Sequence, residues 1–235
     1  MYEGNAACAG QGSSQSASIM RKLLMLSAIL AGTAMADPGK EVSIFNGKDL
    51  SGWKSATGGA PGAGWKVEEG GVLHRAEKGG DLISDKEYAD FELEFDWKIS
   101  KAGNSGVKYR VRKTAGGWIG AEYQVLDDAG HPNGKVPDTT AASLYEVVPA
   151  AKDKDLKPVG EWNHSKVVAK GNVLEHYLNG KLTVKIDTTS KEWAEMKKDS
   201  KFAKVEGFAE AGPGHILLQD HDAEVWFKDI KIHEL

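Results

Sequence analysis

The sequence predicts an all-β fold, a sandwich of two antiparallel sheets. Three observations predict it: apolar and polar residues alternate with period two from Val42 onward, Gly, Asn and Asp punctuate the runs, and helical periodicity is scarce. The clearest strand is Phe91–Ile99, in which Phe91, Leu93, Phe95, Trp97 and Ile99 share one face and charged residues occupy the other. Val107, Tyr109 and Val111 repeat the alternation, as do Ala121, Tyr123 and Val125. Two runs, residues 173–178 and 181–186, flank Asn179-Gly180, the signature of a two-residue type I′ hairpin. Residues 216–219 and 224–232 add two more strands, and Gly103-Asn104-Ser105-Gly106 reads as a turn. The one helix expected is short, residues 190–198, opened by a Ser cap.

Residues 20–36 read as a secretory leader. Arg21 and Lys22 form a basic start, residues 23–31 an apolar run about half the length of a bilayer span, and Ala34-Met35-Ala36 a small-x-small cleavage site. The exported chain is then residues 37–235, one domain, periplasmic or extracellular, with no membrane insertion after cleavage. Residues 1–19 are patternless, an upstream extension ahead of a true start at Met20. The single cysteine, Cys8, falls in that extension, so the exported domain is expected to hold no disulfide and no thiolate metal ligand. The formal net charge of −4 over 235 residues gives no basic footprint and excludes electrostatic nucleic-acid binding.

Within the sandwich, several polar faces carry groups suited to directed hydrogen bonding rather than to simple solvation. Glu122 and Gln124 share the face opposite Tyr123 and Val125, Gln219 and His221 the face opposite Ile216 and Leu218, and strict alternation puts Arg110 opposite Tyr109 and Val111. With Asn104, Tyr145, Trp118 and Trp162 these compose a concave surface suited to a sugar, its hydroxyls bonded and its ring faces stacked. Asn163 and His176 are candidate lining residues, although His176 lies between Leu174 and Leu178, where a core histidine is equally expected. Asp127-Asp128 followed by His131 could hold a hard divalent cation, calcium or magnesium, through Asp127. His74 and His233 are expected to be exposed. Nucleophile elbows, P-loops and dinucleotide-binding glycine motifs are missing from the sequence.

These segments also occur in a telling order. Phe45-Asn-Gly-Lys-Asp-Leu-Ser-Gly-Trp53, Trp65-Lys-Val-Glu-Glu-Gly-Gly-Val-Leu73 and Asp90-Phe-Glu-Leu-Glu-Phe-Asp-Trp97 come first. Gly103-Asn-Ser-Gly-Val-Lys-Tyr-Arg110, Glu122-Tyr-Gln-Val-Leu-Asp-Asp128, Gly160-Glu-Trp-Asn-His164 and Glu175-His-Tyr-Leu-Asn-Gly180 follow. Leu218-Gln-Asp-His221 and Val225-Trp-Phe-Lys-Asp-Ile230 close the set. The ordered set resembles the 3-keto-disaccharide hydrolase domain family over residues 41–235. The resemblance implies a concanavalin A-like jelly-roll sandwich and an exported protein acting on glycosides oxidised to a ketone at sugar C3. Two positions depart from the family pattern. Asp222 follows His221 where the family commonly has Gly, which is expected to reshape the loop beside the site. Phe227-Lys228-Asp229-Ile230 stands where Phe-Arg-Asn-Ile is common, which is expected to alter a structural contact.

A C3 ketone acidifies the C2 proton and sets up elimination of the C1 substituent, and water then adds to the enone. On that chemistry Glu122 and His221 are the expected base and acid, while Asn104, Arg110 and Gln219 bind hydroxyls and the enolate. Gln124, Tyr145, Asn163 and His176 are expected to complete the lining, and Asp127 to orient a neighbour or a cation. A binding module without catalysis is the rival reading. An ordinary glycosidase would require two carboxylates, such as Glu122 and Glu146, facing each other roughly 5–10 Å apart.

Overall fold

A computed structural model describes Gly39 and residues 41–235; the stretches expected to be a leader (20–36) and an upstream extension (1–19, with Cys8) lie outside the described residues. Thirteen strands are described. The first six are β1 (Val42–Ser43), β2 (Trp53–Ser55), β3 (Trp65–Glu68), β4 (Val72–Arg75), β5 (Leu82–Tyr88) and β6 (Phe91–Ile99). Then come β7 (Asn104–Thr114), β8 (Gly117–Leu126), β9 (Asn163–Lys170), β10 (Val173–Leu178) and β11 (Lys181–Asp187). A helix, α1 (Lys191–Asp199), precedes β12 (Gly214–Leu218) and β13 (Val225–Glu234). They form two antiparallel sheets, a concanavalin A-like jelly-roll sandwich. The larger runs β11-β10-β9-β6-β13-β4-β3 with β1 beside β13, and the smaller runs β2-β5-β12-β7-β8. Among the described residues no helix is long and apolar enough to cross a membrane.

The alternation of β6 is realised in full, with its five apolar residues buried and its four polar ones half-buried. Those apolar side chains meet Val107, Tyr109, Tyr123 and Val125 of the smaller sheet in one core. The hairpin forms as expected: Asn179 and Gly180 both adopt left-handed conformations (φ +50° and +82°), as a type I′ turn requires. The helix begins where its cap predicts, with Ser190 accepting a hydrogen bond from the Trp193 N–H at 3.1 Å.

Three expectations change. Gly103-Asn-Ser-Gly106 is no turn: Asn104 already pairs with Leu126, so β7 starts there. His74 is buried, its ring stacked on Trp226 at 4.4 Å and its Nδ1 2.6 Å from Glu68 Oε1, because β4 lies inside the larger sheet beside β13. The third change is a β-bulge in β7. Tyr109 pairs with Ala121 and Arg112 with Ile119, so β7 carries one extra residue against β8. Arg110 takes a left-handed φ of +50° there, and Val111 packs with Ile83 and Leu217 instead of following Tyr109 into the main core.

Candidate active site

The outer face of the smaller sheet carries a cavity of about 180 Å³, bounded by β7, β8, the end of β12 and segments that overhang it. Its polar floor follows from strand pairing. Lys108 of β7 is in register with Glu122 of β8, and Gly106 with Gln124, so alternation brings Lys108, Glu122 and Gln124 to one side. Lys108 Nζ lies 3.6 Å from Glu122 Oε2. A Cβ at Gly106 would overlap the Glu122 carboxylate, its Cδ 2.8 Å away, so the missing side chain is what lets the carboxylate lie against the strand.

Glu122 is buried, and burial pushes its carboxyl up from the ordinary 4.5; the positive charges of Lys108 and Lys201 pull the other way and do not prevail. Gln124 Nε2 donates to Asn104 Oδ1 at 3.0 Å. The side-chain amide oxygens (Oε1) of Gln124 and Gln219 are buried, and neither accepts a hydrogen bond among the described residues. Unsatisfied buried acceptors cost free energy unless something else donates to them, so both are ready to take a hydroxyl. The Gln219 main chain is held by its N–H donating to the Gly106 carbonyl (2.9 Å) and by its backbone carbonyl accepting from Ser105 Oγ (2.9 Å).

Two anchors place the walls. Asp220 accepts from Arg75 Nε and from the Gly79 and Gly80 N–H groups (2.7 and 2.6 Å), which hold its carboxyl below the ordinary value against the opposing effect of burial. This ties down the loop after β12, with exposed His221 and Gln219 lining the cavity on either side of Asp220 in sequence. Tyr145 arrives by a backbone contact: its N–H donates to the Glu122 carbonyl at 3.1 Å, where residues 142–145 run beside β8. Lys201 Nζ sits 4.2 Å from the Tyr145 ring centroid and 3.2 Å from Glu146 Oε1. Trp118 closes one side, its Nε1 donating to the Ala56 carbonyl at 2.6 Å.

The structure thus brings seven of the sequence-derived candidates together: Asn104, Trp118, Glu122, Gln124, Tyr145, Gln219 and His221. It places five elsewhere: Arg110, Asp127, Trp162, Asn163 and His176. Arg110 is turned away by the bulge; its guanidinium is buried and donates to the Ala89 carbonyl, the Gly171 carbonyl and Asp90 Oδ1 at 2.8–2.9 Å. His176 is in the core, bonded to the Tyr109 hydroxyl (2.9 Å) and close to the Ala142 carbonyl (3.2 Å), and burial lowers it to about 4. Asn163 belongs to the larger sheet, where its Oδ1 accepts from the Lys157 N–H and Asn179 Nδ2, both at 3.0 Å.

Asp127 does not fit a cation site. Its two oxygens accept from the N–H groups of Ala102 (2.7 Å), Ala129 and Gly130 (3.1 Å each), which commits both oxygens to shaping the loop. Asp128 pairs with Lys154 at 2.8 Å, and His131 Nδ1 accepts from the Asn133 N–H. Among the described residues no three His, Cys, Asp or Glu side chains are grouped so as to hold a metal ion. Trp162 is likewise distant, under Lys98 and Lys228 on the larger sheet.

Sequence reasoning missed Lys108, Lys201 and Phe202 in the lining. Lys108 was legible, since alternation puts it on the same face as any partner of Glu122. Lys201 and Phe202 follow α1 in an irregular segment, where no period carries a signal.

Comparisons with known proteins agree on a family. A family model described as the 3-keto-alpha-glucoside-1,2-lyase-like domain matches residues 40–233. A 3-keto-disaccharide hydrolase of Bacteroides thetaiotaomicron is 31% identical over 227 residues, covering 83% of this chain and 78% of that protein. A candidate glycosyl hydrolase structure from Parabacteroides distasonis is 31% identical with a TM-score of 0.74, over 84% of this chain and 94% of that one. A second from the same species is 28% identical with a TM-score of 0.65, over 83% and 100%.

Proposed function

The chain belongs to the 3-keto-alpha-glucoside-1,2-lyase-like domain family, a carbohydrate-hydrolase family, and on that premise we propose that it is an exported enzyme cleaving 3-keto-glycosides by elimination and rehydration. The observation that carries this reading is the buried Glu122 carboxylate, raised by burial and set beside Lys108 at the floor of a cavity with two open amide acceptors. A carboxylate shifted upward is a better base for a carbon-bound proton than one at its ordinary value.

Glu122 takes the C2 proton, and the electron pair moves into the C2–C3 bond as the ketone becomes an enolate. Lys108 supplies the neighbouring positive charge for that enolate. The enolate re-forms the ketone as the C1–O bond breaks, leaving a C1=C2 enone and a leaving oxygen that needs a proton. Two wall groups can give it: His221 and the Tyr145 hydroxyl, the latter pushed up to about 12 by burial and by Glu146 and so always protonated near neutrality. Water then adds its hydroxyl to C1 and its proton to C2, and the net change is hydrolysis. Gln124, Gln219 and Asn104 hold sugar hydroxyls, while Trp118 offers a ring edge or face at the rim.

The test is turnover of a 3-keto-disaccharide by the purified protein and by the Glu122→Gln, His221→Ala double variant. Cleavage by the wild type and loss of about three orders of magnitude in the variant support the reading. Full turnover by the double variant overturns the assignment, and saturable sugar binding without product by the wild type replaces it with a binding module.

A further inference from the structure

We propose that Tyr145, rather than His221, gives the leaving oxygen its proton, and that Lys201 is the positioning residue that lets it do so. The inference rests on the proposed function and adds to it the identity of the acid and a task for a lysine that the function leaves unassigned. Tyr145 is built onto the base: its N–H donates to the Glu122 carbonyl at 3.1 Å, so acid and base share one backbone support. His221 lines the same cavity but is exposed, and no hydrogen bond or ion pair holds its ring among the described residues.

A phenol gives up its proton only if the charge left behind is met. Burial, then the Glu146 and Glu122 carboxylates, disfavours a negative Tyr145 before substrate reacts. Elimination removes one of these obstacles. Glu122 becomes neutral when it takes the C2 proton, so one negative charge passes from the floor to the wall as the C1–O bond breaks. A lysine stands at each end of that path. Lys108 Nζ lies 3.6 Å from Glu122 Oε2, and Lys201 Nζ lies 4.2 Å from the Tyr145 ring centroid. Glu146 fixes Lys201 there through a 3.2 Å ion pair. The Glu146 backbone is itself left-handed (φ +58°), and its N–H donates to the Asp138 carbonyl at 2.8 Å. In the second step water gives its hydroxyl to C1 and a proton to the phenolate, while Glu122 returns a proton to C2. Both groups end as they began.

The test compares the 3-keto-glucosides of methanol and of para-nitrophenol, with the spontaneous rate subtracted. Methoxide needs a proton in order to leave, whereas para-nitrophenolate does not. Tyr145→Phe is expected to lose about a hundredfold in kcat/KM on the methyl substrate and less than about threefold on the nitrophenyl one. Lys201→Met is expected to lose about tenfold and less than about threefold on the same pair, and Lys201→Arg, which keeps the cation, to restore the wild-type ratio. A merely structural role would lower both substrates alike, as His221→Ala is expected to do. The ratio between the two substrates does not depend on the folded fraction, and the Lys201 variants carry the test if Tyr145→Phe does not fold. Equal losses on both substrates in the Tyr145 or Lys201 variants, or a loss in His221→Ala confined to the methyl substrate, overturns the assignment while leaving the proposed chemistry standing. Cleavage of neither substrate by the wild type overturns the chemistry and the assignment together.

Discussion

Strand β8 carries two buried polar clusters, one on each face, and they are built on opposite terms. On the inner face Tyr123 donates to the Tyr177 carbonyl and accepts from Ser165 Oγ, which in turn accepts from Trp97 Nε1 at 2.8 Å, and His176 bonds the Tyr109 hydroxyl close by. Every donor in that set has a partner. On the outer face, Glu122 is raised by burial and the amide oxygens of Gln124 and Gln219 have no donor. The same strand thus shows what a buried polar group costs when its bonds are complete and when they are left open. The closed cluster stabilises the sandwich; the open one keeps unsatisfied acceptors available for a ligand.

The largest effect that sharpens this contrast is on activity alone. Glu122→Gln is expected to lower kcat on a 3-keto-disaccharide by roughly three orders of magnitude, with a melting temperature unchanged or higher, because a disfavoured buried charge is removed. A large loss of stability in this variant would break the comparison. The sign follows from linkage: a carboxyl raised in the folded state makes the fold lose stability as pH rises above the ordinary 4.5.

The inner cluster predicts the converse. His176 is lowered from 6.5 to about 4, so the folded protein holds it neutral while the unfolded chain protonates it first. Its contribution is complete above about pH 6.5 and is lost as pH falls toward 4, a change of about 3 kcal/mol. Urea denaturation across that window measures it. His176→Ala is expected to cost about 3 kcal/mol or more and to flatten the pH dependence.

Next in size, Gln219→Ala is expected to raise KM about tenfold with little change in melting temperature, since its side-chain oxygen bonds nothing in the protein. Ser165→Ala should do the reverse, costing about 1–2 kcal/mol of stability with kinetic constants unaltered, as it breaks the link between Trp97 and Tyr123. Smallest is Asp222→Gly. Asp222 sits at φ +59°, and Asp229 at φ +50°, so both departures from the family pattern fall where Gly or Asn relieves backbone strain. Asp222→Gly is expected to stabilise by at most about 1 kcal/mol, read from the same melts.

A structural feature is legible in this sequence when its signal is local. The β6 alternation, the Asn179-Gly180 hairpin and the Ser190 cap are each decided by neighbours within a few residues, and each formed as expected. Glu122 and Gln124 were legible for the same reason, because two residues on one face need only the period of a strand. Arg110 was not, since one inserted residue in β7 breaks that period and nothing in the local pattern marks it. His176 was undecidable locally: its partner Tyr109 lies 67 residues away on the other sheet. Asp127 looked like a ligand until the Ala102, Ala129 and Gly130 N–H groups, supplied by loop folding, claimed its oxygens.

The bulge at Arg110 also bears on how this protein can be altered by insertion and deletion. One extra residue exchanges inside and outside for everything that follows it in the strand, so Val111 meets Ile83 and Leu217 where the unbroken pattern would send it to the main core. Removing Arg110 would restore plain alternation with Val111 still on the outer face, whereas one residue added or lost elsewhere in β7 would exchange the faces after it and scramble the apolar patch beside Trp118. Changes in the length of the β7–β8 hairpin are therefore tolerated in steps of two on each arm, and a library built on the site should vary it by pairs of residues.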